Sequence, residues 1–292
     1  MIWFCIALFS AFLSAFSAIA QKKVLFKLGA LEFSFLLAIV NLLLSIPFFF
    51  YLDYQSLTTV KVILLLVKSI IGVFAFLCVM LSLKNLEISN ALPLLALTPG
   101  FVAIFAFLFL GEGLKYTEVV GLQLLIFGTF ILESKNDGNI LSPVKTFFRS
   151  KYHHYILMAL LLFTISSIMD KLMLKQFKFT PIALVSFQNI FFALIFGIIY
   201  LFSSQRSKLP TVSGNKKEFA WILVISVLTF GYRYTQMVAI GMASVALVLA
   251  VKRTSVFWAT IIGGKIFNEK YLLKKTIAAL LILAGTILIL RE

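Results

Sequence analysis

Long apolar runs broken by short polar clusters set the pattern of this chain. Ten runs are long enough for a helix to cross a bilayer core of about 30 Å. They cover residues 2–20, 30–51, 60–83, 88–110, 115–133, 153–174, 180–203, 218–240, 244–267 and 271–290. Lys22-Lys23, Asp53-Tyr54, Gly111-Glu112-Gly113 and Asn268-Glu269-Lys270 mark breaks between them. Runs of this length exceed the roughly ten residues of a barrel strand, so each is predicted to be a transmembrane helix. The first run ends Ala18-Ile19-Ala20, like a signal-peptidase site. It has no basic leading segment and nine more runs follow, so it reads as helix one.

Two polar stretches, 134–152 and 204–217, are long enough to be linkers. The first divides the chain into a five-helix block at 1–135, a basic linker at 136–152 and a second five-helix block at 153–292. The blocks repeat one another. A shift of 157 superposes Glu112 on Glu269, Leu124 on Leu281, Gly128 on Gly285 and Thr129 on Thr286. A shift of 149 superposes Ser17 on Ser166, Ile19 on Ile168, Gln21 on Asp170, Lys22 on Lys171 and Leu25 on Leu174. An odd number of helices per block turns the second copy upside down in the bilayer. The predicted fold is an all-α membrane protein, ten transmembrane helices in two inverted five-helix repeats. That architecture belongs to secondary transporters, which hold substrate near the midplane between repeats.

Composition removes the soluble alternatives. Hydrophobic residues make up 62% and charged residues 13%, with a mean hydropathy of +1.07; soluble domains run near 45–50% and 25%. Lys plus Arg number 26 against 11 Asp plus Glu. That excess reads as basic loops facing anionic lipid headgroups. No basic run is interleaved with aromatics on a polar surface, so no nucleic-acid partner is expected. The expected partners are a small-molecule substrate and membrane lipid, with the protein a monomer or homodimer. Cys5 and Cys78 lie far apart in apolar stretches and read as lipid-facing or packing residues. His153 and His154 are adjacent and point apart on a helix, which argues against a metal site. No Walker loop, Ser-His-Asp set, CxxC or paired catalytic acids occur, so neither an enzyme nor a cofactor is expected. Unbroken apolar helices around a closed polar site favour alternating access over an open channel.

The repeat, the helix count and the helix-end motifs Leu110-Gly111-Glu112 and Phe267-Asn268-Glu269 resemble the drug/metabolite transporter superfamily. Thr98-Pro99 sits where its EamA-type members often carry a proline. The resemblance covers essentially the whole chain and implies transport, with both termini in the cytoplasm. Lys and Arg counted by loop oppose that orientation: sixteen fall on the side of loops one, three, five, seven and nine, and six on the other. The positive-inside rule then puts the termini outside, and the orientation stays open. Val251-Lys252-Arg253 is also similar to the Lys-Arg pair that binds phosphate in the distantly related triose-phosphate translocators. Tyr234-Thr235-Gln236 loosely resembles a stretch of their preceding helix.

Ionisable residues inside a span mark function by default, since each costs about 2.5–3.5 kcal/mol at a helix centre. Arg233 lies well inside helix eight, and Lys252 and Arg253 about a third of the way along helix nine. Thr229, Arg233 and Gln236 fall at i, i+4 and i+7, one polar stripe with Tyr232 and Tyr234 beside it. Lys252 shares a face with Ser255, and Arg253 with Thr260. Guanidinium forks, an ammonium and hydroxyls suit a phosphate or carboxylate. Of the acids only Asp170 and Glu87 could reach inward. Asp170 is a candidate for proton coupling, or for a structural pair with Arg233. Snorkelling of the cations to the interface is the competing reading, and it is the one preferred for Lys68, near one end of helix three. Asn41, Gln188 and Asn189 are candidate pocket amides. Ser10, Ser14, Ser17 and Gln21 form a stripe on helix one that reads as helix packing. Gly121/Gly128 and Gly263-Gly264 read as close packing or hinges.

These features predict a permease of the cell inner membrane that moves a small organic metabolite, anionic in character, by alternating access. The alternative is an exporter of neutral amino acids or amphiphilic drugs in which the intramembrane cations are structural.

Overall fold

Helix dominates the apolar runs wherever their residues are described. In the computed structural model, which describes residues 2–50, 52, 54, 57–97, 116–133, 150–203, 216–243 and 245–289, there is no strand among those residues. Helices α1 (Ile2–Leu25), α2 (Ala30–Phe49), α3 (Thr59–Asn85), α4 (Ile88–Leu95) and α5 (Tyr116–Glu133) make up the described part of the first half. The second half holds α6 (Lys151–Lys175), α7 (Pro181–Leu201), α8 (Lys216–Met242), α9 (Val245–Trp258) and α10 (Leu272–Ile289). Helix α9 runs on through a π-helical turn at Ala259–Gly263 and a last turn at Gly264–Ile266. Six of these helices are long and apolar enough to cross a membrane, and a shorter apolar helix spans Val119–Leu132. Large apolar side chains such as Phe9, Phe16, Phe127, Ile168 and Leu194 point outward and exposed. A surface this apolar is suited to lipid rather than water.

The boundaries have local causes. Thr58 caps α3 by accepting from the Lys61 N–H. Thr180 caps α7, with Pro181 as its first residue, where a missing N–H is no loss. Lys22 and Lys23 were expected to break the chain after helix one; instead α1 carries both in its last turn. The ammonium of Lys22 explains why. Its Nζ donates to the carbonyls of Leu83 and Leu86, each at 2.7 Å, at the end of α3. Orphan carbonyls at a helix C-terminus attract a cation. Lys171 near the end of α6 does the same for α8, donating to Ile240 O at 3.2 Å and Ala243 O at 2.7 Å. The lysines are 149 residues apart and both acceptor pairs 157 apart, the two offsets of the sequence repeat.

Among the described residues four helix pairs form the main packing: α1 with α8, α3 with α6, α2 with α7, and α5 with α10. At α5–α10 the backbones nearly touch. A Cβ on Gly285 would stand 2.6 Å from the Gly121 carbonyl, and one on Gly128 would stand 2.8 Å from Ile282. Gly263 is close-packed too, with Ile88 and Ile19 at 3.0 and 3.3 Å from where a Cβ would sit.

The turn after α9 reaches across the molecule. Asn268 adopts a left-handed φ of 50°, which Asn tolerates well. Glu269 then points at the start of α4, where its carboxylate accepts from the N–H groups of Ile88 (2.7 Å) and Ser89 (3.1 Å) and from the Ser89 hydroxyl. Lys275 closes the cluster against Glu87, with Glu269 3.9 Å away. Glu87, expected as a possible inward acid, is therefore half-exposed in an ion pair at the end of the bundle. Thr98-Pro99, Leu110-Gly111-Glu112, most of the 136–152 linker and the 204–215 stretch lie outside the described residues.

Candidate functional site

A cavity of about 220 Å³ opens between the two halves, lined from α1, α2, α3, α4, α6, α7, α8 and α9. Helix α8 presents Thr229, Tyr232, Arg233 and Gln236, the polar stripe that the i, i+4, i+7 spacing predicts. Helix α9 adds Lys252, Arg253 and Ser255; α6 adds Ser166 and Asp170; α7 adds Gln188 and Asn189; α2 adds Asn41. The body of the cavity is apolar, with Phe76, Phe163, Phe192 and Phe196.

Its charges are not equally free. The carboxylate of Asp170 lies 2.7 Å from the Lys68 ammonium, and both side chains are buried, at 1% and 0% exposure. Gln188 Oε1 accepts from Lys68 Nζ at 2.8 Å and from Arg233 Nη2 at 2.9 Å. Arg233 stands 3.8 Å from the other oxygen of Asp170. So Asp170 is held first by Lys68, and Arg233 mainly by a neutral amide. Across the cavity Lys252 donates to Gln236 Oε1 and sits 4.7 Å above the Tyr232 ring, a favourable cation–π contact.

Neutral contacts pin α1 and α3 around these groups. Ser17 and Thr229 share a hydrogen bond of 3.1 Å, and Gln21 donates to Ser17 at 3.0 Å. Ser10 donates to the Tyr232 carbonyl at 2.8 Å. The serine stripe thus packs α1 on α8, while Ser14, Ser17 and Gln21 also face the cavity. At Gly72, one turn after Lys68, a Cβ would stand 2.9 Å from Phe192. The missing side chain lets α3 approach α7 closely enough for Lys68 to reach Gln188.

A sequence model described as the EamA-like transporter family matches residues 1–134 and 151–291. The chain belongs to the EamA-like transporter family. One similar solved structure, titled only "Crystal structure of protein", has a TM-score of 0.61 at 14% identity and covers 96% of each chain. At that identity the likeness concerns the fold. No curated protein matches the chain. As an EamA-like transporter it is a multi-pass membrane protein, and its predicted site residues have these locations. Arg233, Lys252, Arg253, Gln236, Ser255, Asn41, Gln188 and Asp170 line one cavity.

Tyr234 does not join them: it is 39% exposed, and Tyr232 faces the cavity instead. Two residues apart on a helix means about 200° of rotation, so the two tyrosines could not share a face. Thr260 falls in the π-helical turn, outside the lining. Lys68 is the residue whose sequence reading fails outright. It does not snorkel, because nine residues of helix place it about 14 Å from the start of α3, beyond the reach of its own stem. Depth within the run was the signal that could have identified it. Among the described residues no group of three or more His, Cys, Asp or Glu could hold a metal.

Proposed function

We propose that this transporter carries a small organic anion across the cell inner membrane by alternating access, as a ten-helix bundle of two inverted halves at 1–135 and 153–292. The observation that carries the anionic substrate is the charge balance of the cavity. Arg233, Lys252 and Arg253 line it, and the one carboxylate among its described lining residues, Asp170, is already paired with Lys68. An anion entering this space gains charge-assisted hydrogen bonds in a poorly solvated site, where such bonds are strongest.

Support for the inverted halves comes from paired contacts. A two-fold axis exchanging the halves would convert the α1–α8 contact into α6–α3 and return α2–α7 and α5–α10 to themselves. These are the four main pairings of the bundle. The lysine caps at Lys22 and Lys171 obey the same exchange. A site on that axis can face either side by a rocking of one half against the other.

The Lys68 pair favours substrate exchange over proton linkage through Asp170, because protonating that carboxylate would strand a buried ammonium. The neutral-solute alternative has its own observation, the phenylalanines that line the cavity body. In that case the cations serve only their protein partners.

Ligand-induced thermal stabilisation of the purified protein in detergent separates the two. A ligand at 100 times its Kd stabilises by about 2.7 kcal/mol. Carboxylated or phosphorylated metabolites should stabilise the wild type and not Lys252→Gln/Arg253→Gln. Stabilisation by neutral amino acids or amphiphiles, unchanged in the double variant, would overturn the anion reading.

A further inference from the structure

The cationic side of the cavity accounts for one end of a solute; α2 carries the feature that concerns the other end. Asn41 is 8% exposed and lines the cavity shared with Arg233, Lys252 and Arg253. Its side-chain Oδ1 is buried and has no hydrogen-bond partner. The surrounding backbone is tied down. Ser45 Oγ donates to the Asn41 carbonyl at 2.8 Å, and Asn189 Nδ2 donates to Ser45 Oγ at 2.8 Å and reaches the same carbonyl at 3.5 Å. Neighbouring groups thus direct their hydrogen bonds to the Asn41 carbonyl and the Ser45 hydroxyl, and leave the Asn41 side-chain oxygen over. Buried polar groups are nearly always satisfied, and an exception inside a cavity asks for a partner from outside the chain.

We infer that the solute is a hydroxylated anion, its acid group on the cations of α8 and α9 and a hydroxyl on the Asn41 amide. This rests on the anion reading above and goes further by naming the second functional group. A hydroxyl suits the amide in either orientation, donating to Oδ1 or accepting from Nδ2. An ammonium could serve only the oxygen, and it would enter a space that already holds three cations against a carboxylate engaged by Lys68. The neutral donor is therefore preferred over the charged one, and a hydroxy acid or phosphorylated polyol over an amino acid. The cavity of about 220 Å³ is small among ligand pockets, which run to about 300–1,000 Å³. It limits the body between the two groups to a few carbons.

The test compares affinities of the full-length protein for ligand pairs that differ by one group. The pairs are lactate and propionate, malate and succinate, and 2-hydroxypropyl phosphate and propyl phosphate, with alanine against lactate as the ammonium comparison. Because a site built to bond a hydroxyl rejects the analogue lacking it, the hydroxylated member should bind at least about tenfold more tightly. Lactate should also bind more tightly than alanine. The carboxylate and phosphate pairs tell which acid group the cations take. In Asn41→Leu the preference should fall to about twofold or less, with affinity for the deoxy member kept; Asn41→Ala gives a second, smaller variant that also lacks the amide. Equal affinity within the pairs, alanine matching lactate, or a preference that survives in whichever variant folds, overturns the inference while leaving anion binding in place. Failure of every anion to bind, with Lys252→Gln/Arg253→Gln behaving as the wild type, removes the anion reading as well.

Discussion

Asp170 and Lys68 decide how the cavity's charge is shared, and each depends on the other for its burial. A buried pair of this kind is weak as a source of net stability but severe to break, because one partner removed leaves a full charge without compensation. Asp170→Asn should therefore lower unfolding stability by about 3–5 kcal/mol, read from thermal or denaturant unfolding in detergent. Replacing both, as Lys68→Met/Asp170→Leu, should recover most of that loss. If the single and double changes lose equal stability, the two are not coupled in the way their 2.7 Å separation implies. At this scale the sequence was informative where spacing spoke. Arg233 and Gln236 share a helix face by periodicity alone, and they share the cavity. The role of Lys68 is not legible locally, because its partner Asp170 lies about a hundred positions further along the chain and no local pattern announces such a pairing.

Among elements, the end of the bundle near Glu269 shows a single side chain organising a helix from the opposite half. Its carboxylate accepts two N–H groups at the start of α4, the position where a helix has orphan donors and a partial positive charge. Glu269→Ala should destabilise by about 1–2 kcal/mol, the upper range for a lost N-cap, with faster hydrogen exchange concentrated at 88–91. Unchanged exchange there would show that α4 does not depend on the cap. The Phe267-Asn268-Glu269 motif was recognisable as a helix end, but its partner was not, since Ile88 and Ser89 lie in the other half. The α5–α10 crossing gives a sterically simpler case. Gly285→Ala puts a methyl 2.6 Å from a carbonyl oxygen and should cost about 1–3 kcal/mol through forced separation of the helices. A Tm equal to the wild type would mean the crossing yields without strain. Helix positions themselves were legible, because the period and length of apolar runs are local properties. The run of Lys22-Lys23 inside α1 was not, since only the nearby end of α3 makes it favourable.

For the molecule as a whole, symmetry and charge meet at one place. The helix pairings and the two lysine caps relate the halves, and the cavity between them holds the cations that in lipid would otherwise be costly. The proposed repeat rests on matching residues at constant offsets; the geometry of the cavity was not legible, because eight helices contribute to it. Transport of an anion through that space is the central claim. Its most direct measurement is uptake by proteoliposomes of the acid that best stabilises the purified protein, for wild type and for Arg233→Gln. Saturable uptake above protein-free vesicles, reduced at least about tenfold in the variant while the variant keeps its fold, is the predicted result. Uptake of the anion at the wild-type rate without Arg233, or saturable uptake of neutral solutes only, would contradict it.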